Sequence, residues 1–313
     1  MSKRSPDFEA TTHAPSGWVG PGLLLAGGVG IGLAPIGLRL GLDDLGPFAI
    51  AFWRFAFAAP LLFVILCVVK RRLPRPPNGF IVLAGVCHAL NMAVWHWGLT
   101  LTTVANATFI SNMGYVAVGL TAWIFLSLRP GRVWAMAASV AVLGALILSQ
   151  GGEGGGKADL RGDFLALCSG VFVSFYIVAA SVARRTLEAL DAVFWLTVVE
   201  VGVGALVVLA AGEPFLPDRV EGFAAPLFLA VVSHVAGQGL ILAGLGRTAP
   251  AIAGVMLLVQ PIVAAAISWR LFDEPLTGLQ ISGAVLILIG VFLAQRGPSD
   301  KKASQLALRS GVD

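Results

Sequence analysis

The sequence predicts an all-α membrane protein with ten transmembrane helices, arranged as two inverted five-helix repeats. Three observations support this fold class: an apolar composition, ten long apolar segments and a similarity between the two halves of the chain. Of the 313 residues, 57% are hydrophobic and 12% are charged, and the mean hydropathy is +0.87. Soluble domains carry about 25% charged residues. The composition therefore argues against a soluble enzyme or a nucleic-acid-binding protein, and it makes the lipid bilayer the main partner.

Ten segments are long and apolar enough to cross a bilayer, which requires about 20 mostly apolar residues per helix. They lie near 18–40, 47–69, 80–99, 103–127, 133–150, 162–183, 190–211, 223–245, 249–271 and 277–295. The short connections at 99–103 and 245–249 divide two stretches that are too long for one helix.

Positive charges in the short loops predict the orientation, because Lys and Arg are enriched in cytoplasmic loops. With the N-terminus inside, 15 of the 21 Lys and Arg residues fall on the cytoplasmic side, 5 fall on the other side, and Arg54 lies within a span. We therefore expect a multi-pass protein of the cell inner membrane with both termini in the cytoplasm. Cys67, Cys87 and Cys168 are isolated, so neither a disulfide nor a zinc site is predicted, and no cofactor is expected.

The two halves of the chain are weakly similar. Phe52-Trp53 aligns with Phe194-Trp195 at an offset of 142, and Gly98-Leu99 aligns with Gly244-Leu245 at an offset of 146. Each half has five spans, an odd number, so the halves must insert with opposite orientations, as in many secondary transporters. The predicted divisions are a cytoplasmic tail at 1–16, a first repeat at 17–150, a Gly-rich linker at 151–161, a second repeat at 162–296 and a cytoplasmic tail at 297–313.

Several short segments carry a recognisable pattern of order and spacing. They are 51–55 (Ala-Phe-Trp-Arg-Phe), 246–251 (Gly-Arg-Thr-Ala-Pro-Ala), 259–262 (Val-Gln-Pro-Ile), 272–276 (Phe-Asp-Glu-Pro-Leu), Gly283 and Gly290. This pattern resembles the EamA-type repeat of the drug/metabolite transporter superfamily, over residues 18–295. The resemblance implies a ten-helix carrier of small metabolites. More narrowly, the chain is similar to bacterial amino-acid exporters, including those for aromatic amino acids.

Polar side chains at the centres of spans are the candidate substrate contacts, because a polar group in hydrocarbon is costly unless it is paired or faces water. His88, Asn91 and Trp95 share one face of the third span, and His234 and Gln238 share one face of the eighth. His88 aligns with His234 at the offset of 146, so the two imidazoles are expected to flank a central cavity. The alternatives are a hydrogen bond from each His to a neighbouring helix, or a metal site, for which two His alone are a poor ligand set.

Further candidates lie in the fourth, sixth and ninth spans: Asn112, Tyr115, Tyr176 and Gln260. The polar groups of the fourth span either line the cavity or join helices through hydrogen bonds. Gln260 precedes Pro261, whose missing N–H frees a backbone carbonyl for a ligand. The tyrosines offer a hydroxyl to the cavity and a ring to an apolar substrate.

Two charges and two glycines have open interpretations. Arg54 either has a structural role or binds substrate directly, and Glu200, near the centre of the seventh span, either carries a coupling proton or pairs with a polar neighbour. Gly28 and Gly32 permit close helix packing or bending of the first span around the cavity.

We expect a non-enzymatic secondary transporter that exports small molecules by alternating access. A cavity with His, Asn, Gln, Tyr and Trp suits neutral or aromatic amino acids. The alternative is efflux of drugs, cations or nucleosides, and cation efflux would favour an acidic group such as Glu200 together with aromatic side chains. Neither an intramembrane protease motif nor a repeated channel filter is present in the sequence. Nothing in the sequence defines an oligomeric state.

Overall fold

The computed structural model describes residues 18–101, 104–149, 160–272 and 277–296. Within these ranges every regular element is helical, and the elements form ten helices named here α1 to α10. The predicted tails at 1–16 and 297–313 lie outside the described residues, as do residues 151–159 of the predicted linker. Eight helices are α1 (Val19–Gly41), α2 (Pro47–Lys70), α3 (Gly79–Leu101), α4 (Val104–Leu126), α5 (Arg132–Ser149), α6 (Leu160–Ala183), α7 (Ala189–Ala211) and α8 (Val220–Leu245).

The last two helices complete the second half of the chain. Helix α9 consists of Pro250–Leu257 and Gln260–Phe272, and α10 is Gly278–Arg296. Seven of the ten helices are long and apolar enough to span a membrane, and α4, α5 and α10 contain shorter apolar stretches within the described residues. Together with large exposed apolar side chains such as Ile124 and Phe125, 71% and 62% exposed, this confirms the helical membrane fold that the sequence predicts.

The contacts between the two halves follow an approximate twofold relation. Helix α3 packs along α6, and its counterpart α8 packs along α1; α4 contacts α6, and its counterpart α9 contacts α1. The pairs α2–α7, α4–α9 and α5–α10 each join equivalent helices of the two halves. Two five-helix units of opposite orientation produce this pattern, because a twofold axis in the membrane plane maps each helix onto its equivalent.

Two helices are broken near the middle of the bundle. In α1, Val19–Gly32 and Ala34–Gly41 are separated at Leu33, and Pro35, in the first turn of the second part, has no N–H to donate to the preceding turn. In α9, Leu258 and Val259 separate the two parts, and Pro261 again lacks a donor. The breaks lie against each other, because a Cβ at Gly32 would meet Gln260 O at 2.9 Å and Val263 Cβ at 2.7 Å. The Gly28 and Gly32 positions therefore serve close packing of α1 on α9.

Helix α8 departs from the regular α-helix that its apolar pattern predicts. It begins with a 3₁₀ turn and continues through Ala224–Phe228 into a π-helical stretch, Leu229–Gln238, before returning to α-helix. Single π turns occur frequently at functional sites. This longer stretch carries His234 and Gln238, and both side chains are directed into the bundle, where they are almost completely buried.

Candidate functional site

A central cavity lies between the two halves of the bundle. The centres of water-sized molecules can occupy about 100 Å³ in it, and the space between its wall atoms is about 1040 Å³ when the solvent at its mouth is included. Its wall is formed by α1, α2, α3, α4, α6, α8 and α9. Both broken helices reach it, through Pro35 in α1 and through Gln260 and Pro261 in α9. The cavity occupies the half of the bundle that holds the first part of α2 and the last part of α3. A cavity at the repeat interface, bordered by interrupted helices, is the arrangement of substrate sites in many carriers.

The structure brings most of the sequence-predicted residues together on this wall. Those that line the cavity are His88, Asn91, Trp95, Asn112, Tyr115, Tyr176, Gln238 and Gln260. The two remaining candidates, His234 and Glu200, lie behind the wall and are completely buried. The residues that the sequence analysis did not assign to the site, and that also line the cavity, include Arg54, Phe55, Met92, His96 and Ser111.

Hydrogen bonds across the cavity wall join the helices that surround it. Tyr115 Oη in α4 lies 3.3 Å from Gln260 Oε1 and 3.2 Å from Gln260 Nε2 in α9. Gln238 Nε2 in α8 donates to Tyr176 Oη in α6 at 2.5 Å, and the Tyr176 ring lies 4.6 Å from the His88 ring between centroids. These pairs connect the first half with the second half and also connect helices within the second half. A ligand that displaced these hydrogen bonds would therefore change side-chain contacts in both halves of the bundle.

A second group of hydrogen bonds fixes Asn91. Ser169 Oγ in α6 donates to Asn91 Oδ1 at 2.8 Å, and Ser111 Oγ in α4 lies 2.7 Å from the same Ser169 oxygen. The chain of three side chains spans α3, α6 and α4. Asn91 therefore joins helices and also lines the cavity.

Glu200 is the centre of a buried polar network beside the cavity. Its Oε1 accepts a hydrogen bond from His88 Nδ1, and its Oε2 lies 3.2 Å from His234 Nε2 without forming a hydrogen bond. Thr197 Oγ1 donates its single proton to the Val193 carbonyl at 2.7 Å, so His234 Nε2 donates to Thr197 Oγ1 at 2.7 Å. His88 bonds the carboxylate and His234 bonds Thr197, so both imidazoles are engaged by protein groups rather than arranged as ligands around an ion. No cluster of three or more His, Cys, Asp or Glu suited to a metal occurs among the described residues.

His88 connects this network to the cavity, because its ring both bonds Glu200 and contributes to the wall. His234 has the equivalent position in the other half but is sealed from the cavity. The symmetry of the sequence is therefore broken in this conformation: one imidazole of the aligned pair reaches the cavity and the other does not.

Arg54 and His96 line the cavity, although the sequence analysis did not assign either of them to the site. Arg54 is 6% exposed and its Nε has no hydrogen-bond partner; His96 is also 6% exposed, and its Nδ1 has none either. His96 lies eight residues after His88 and about 80° around α3 from it, so a wider predicted face of the helix would have included it. Arg54 is a charge within a span, and only the packing of α2 shows that it reaches the cavity.

At the opposite end of the bundle, ionic contacts join the end of α2 and the α2–α3 connection to the start of α7. Asp191 accepts from Arg72 Nη1 at 2.9 Å, from Arg72 Nη2 at 2.7 Å and from the Arg75 amide at 2.9 Å. Lys70 pairs with Glu188 at 2.5 Å, and this hydrogen bond lowers the pKa of the Glu188 carboxyl. The Asp191 hydrogen bond raises the pKa of Arg72. Leucine side chains in this half, Leu24 and Leu242, are fully buried, so the described helices pack together where the other half is open.

Comparison with known proteins places the chain among membrane carriers. Residues 18–150 and 160–295 both match the family model described as the EamA-like transporter family. An uncharacterized transporter of Archaeoglobus fulgidus is 26% identical over 267 residues, 82% of this chain and 90% of that protein. The pseudopaline exporter CntI of Pseudomonas aeruginosa is 24% identical over 249 residues, 79% of this chain and 85% of that protein. A crystal structure with a TM-score of 0.74 and 16% identity, covering 95% of this chain and 99% of that chain, shares the fold.

Proposed function

The chain belongs to the EamA-like transporter family, and from this premise we propose that it exports small metabolites, neutral or aromatic amino acids in particular, by alternating access. Membership confirms the resemblance found in the sequence and makes the chain a multi-pass membrane transporter. The observation that carries the substrate proposal is the lining of the central cavity. Its aromatic rings suit an apolar side chain, and its amide, hydroxyl and imidazole groups suit the polar ends of an amino acid.

Export from the cytoplasm is the proposed direction. The excess of Lys and Arg on the N-terminal side supports cytoplasmic termini in the inner membrane. In that orientation the present cavity faces outward and the Arg72–Asp191 contacts close the cytoplasmic side. The relative from Pseudomonas aeruginosa that is named an exporter supports the same direction.

Cation efflux, the alternative substrate class, receives less support from the cavity. A cationic substrate would favour a carboxylate on the wall, together with aromatic rings. Glu200 is fully buried and bonded to His88, and no Asp or Glu is among the described residues that line the cavity. Nucleosides remain the stronger second candidate, because Trp95, Tyr115 and Tyr176 present rings on which a base could stack.

Glu200 is the proposed carrier of a coupling proton. His88 in α3 and His234 in α8 face it directly, and Arg54 in α2 and Tyr176 in α6 interact with it electrostatically. If the two halves exchange conformations when access alternates, His234 opens to the cytoplasmic cavity while His88 becomes sealed. A proton on this network would then enter through one imidazole and leave through the other, with Glu200 between them.

The test is counterflow in proteoliposomes loaded with a panel of amino acids, nucleosides and amines. We expect exchange of aromatic amino acids, and we expect His88→Ala to lower its rate about tenfold or more because it removes a wall contact and the partner of Glu200. His234→Ala should lower the rate as well, through the buried network. Phe164→Ala, which trims an exposed apolar side chain on α6, is the control and should leave the rate unchanged.

Two results would contradict the proposal. Exchange of amines alone would reject the substrate class, and undiminished exchange by both His variants, at wild-type expression, would reject the role of the network.

A further inference from the structure

The guanidinium of Arg54 is the most unusual group in the cavity wall. It sits on α2, 6% exposed, and its Nε is buried without a hydrogen-bond partner. Burying a charge is costly unless the charge is paired, and an unsatisfied buried donor in a native protein calls for an explanation. Since the side chain lines a cavity rather than packed protein, a ligand is the natural partner.

A second unpartnered group lies on the same wall. His96 in α3 is also 6% exposed, lines the cavity and has a buried Nδ1 without a partner. Most of the remaining polar groups on the wall have protein partners, as in the Tyr115–Gln260, Tyr176–Gln238 and Asn91–Ser169 pairs. On the described part of the wall, the buried side-chain atoms that have no hydrogen-bond partner are therefore Arg54 Nε and His96 Nδ1.

The charge of the wall determines the sign of the missing partner. Among the described residues that line the cavity there is one guanidinium and no carboxylate. The nearest acid, Glu200, is fully buried and engaged by His88. An anion is stabilised in such an environment and a cation is not.

We propose that Arg54, with His96 beside it, forms a subsite for a carboxylate, so that transported substrates are recognised through an acidic group and do not require an amino group. A planar guanidinium matches the two oxygens of a carboxylate. A single guanidinium balances the one charge of a carboxylate better than the charge of a phosphate, about −1.5 to −2 at neutral pH. This inference rests on the proposed transport through the central cavity and adds the chemical group by which the substrate is bound.

The test uses three probes with the same phenyl body: L-phenylalanine, 3-phenylpropionate and phenethylamine. Each competes with labelled L-phenylalanine in counterflow by the full-length protein in proteoliposomes. Each is also added to the detergent-solubilised protein, where binding is measured as a rise in the midpoint of thermal unfolding. The second measurement reports binding whether or not the probe is transported.

In the wild type we expect 3-phenylpropionate to bind and phenethylamine to bind at least about tenfold more weakly, since one charge-assisted pair separates them. Arg54→Gln should weaken 3-phenylpropionate by about tenfold or more and bring the two probes to similar affinity. Arg54→Lys should recover part of the loss, because it restores the charge without the planar fork. Arg185→Gln, which removes an exposed guanidinium after α6, is the matched control and should change nothing.

A structural role for Arg54 predicts a different readout. If the side chain supports the fold, Arg54→Gln lowers the unfolding midpoint of the ligand-free protein. If it serves a ligand, the midpoint stays the same or rises, because a buried guanidinium whose Nε has no hydrogen bond has been removed.

Equal binding of phenethylamine and 3-phenylpropionate by the wild type would overturn the proposal, and this comparison requires no variant. A loss of ligand-free stability in Arg54→Gln with an unchanged ratio of probe affinities would also overturn it. Arg54-dependent binding of 3-phenylpropionate without transport of L-phenylalanine would instead leave the subsite standing and reject amino-acid export.

Discussion

The contact between α1 and α8 leads to a quantitative prediction about Gly27. A Cβ at this position would lie 2.7 Å from Gly237 O, 2.7 Å from Ile241 Cγ1 and 2.9 Å from Ile241 N. Two of these atoms belong to the backbone of α8, so a change of side-chain rotamer cannot relieve the overlap. The Gly27→Ala variant must therefore separate the two helices, which join the two halves of the bundle.

The size of the effect follows from two opposing contributions. Overpacking of a tight contact costs about 1–3 kcal/mol, while replacing Gly by Ala in a helix gains about 0.5–1 kcal/mol. Gly22 lies on the same helix, and a Cβ there would meet no atom of a neighbouring element within 4 Å, so Gly22→Ala obtains the gain alone. The difference between the two variants removes the contribution of helix propensity and leaves about 1–3 kcal/mol for the contact itself.

Thermal unfolding of the detergent-solubilised protein, followed as the monodisperse fraction after heating, measures this difference. We expect Gly27→Ala to unfold at a clearly lower temperature than Gly22→Ala, and Gly22→Ala to match or exceed the wild type. Equal midpoints for the two alanine variants would refute the close approach of α1 to α8 and, with it, the packing between the halves.

Two further predictions concern access and coupling. Replacing Asp191 by Asn removes the charged partner of Arg72 and weakens the closed end. Leu242 is fully buried at that end and aligns with the cavity-lining His96 at the offset of 146, so a cysteine in its place (Leu242→Cys) should be labelled severalfold faster in the Asp191→Asn background. An unchanged labelling rate would count against these contacts as a closure. In Glu200→Gln, the glutamine can still form a hydrogen bond beside His88, but it cannot carry a proton. Counterflow should therefore persist, while substrate accumulation driven by a pH gradient is lost. Retained gradient-driven accumulation would exclude Glu200 as the proton carrier.

Most of the fold could be predicted because the bilayer leaves the chain few options. Backbone groups in hydrocarbon must be satisfied within the segment, so each crossing is a helix with a long apolar sequence. The seventh span, expected at 190–211, is observed as Ala189–Ala211. The π-helical stretch of α8 has no comparable signal, because its apolar residues suit either helix.

The candidate site was predictable in part and for a related reason. Helical periodicity places His88, Asn91 and Trp95 on one face, and the structure turns that face toward the cavity. Periodicity does not tell which neighbour a face meets. Arg54 and Glu200 are both single charges within spans, yet one reaches the cavity and the other is enclosed beside two imidazoles.

The amino-acid order alone was enough to predict the ten crossings, the duplication and the pairing of His88 with His234, since each depends on position along the chain and on the cost of polar groups in lipid. Only the packing of the helices shows which half of the bundle is open. It therefore also shows that His88 reaches the cavity while His234 is sealed from it. The reason is that two inverted units of similar sequence must adopt different conformations to leave one side closed, and that difference resides in the packing of helices against each other.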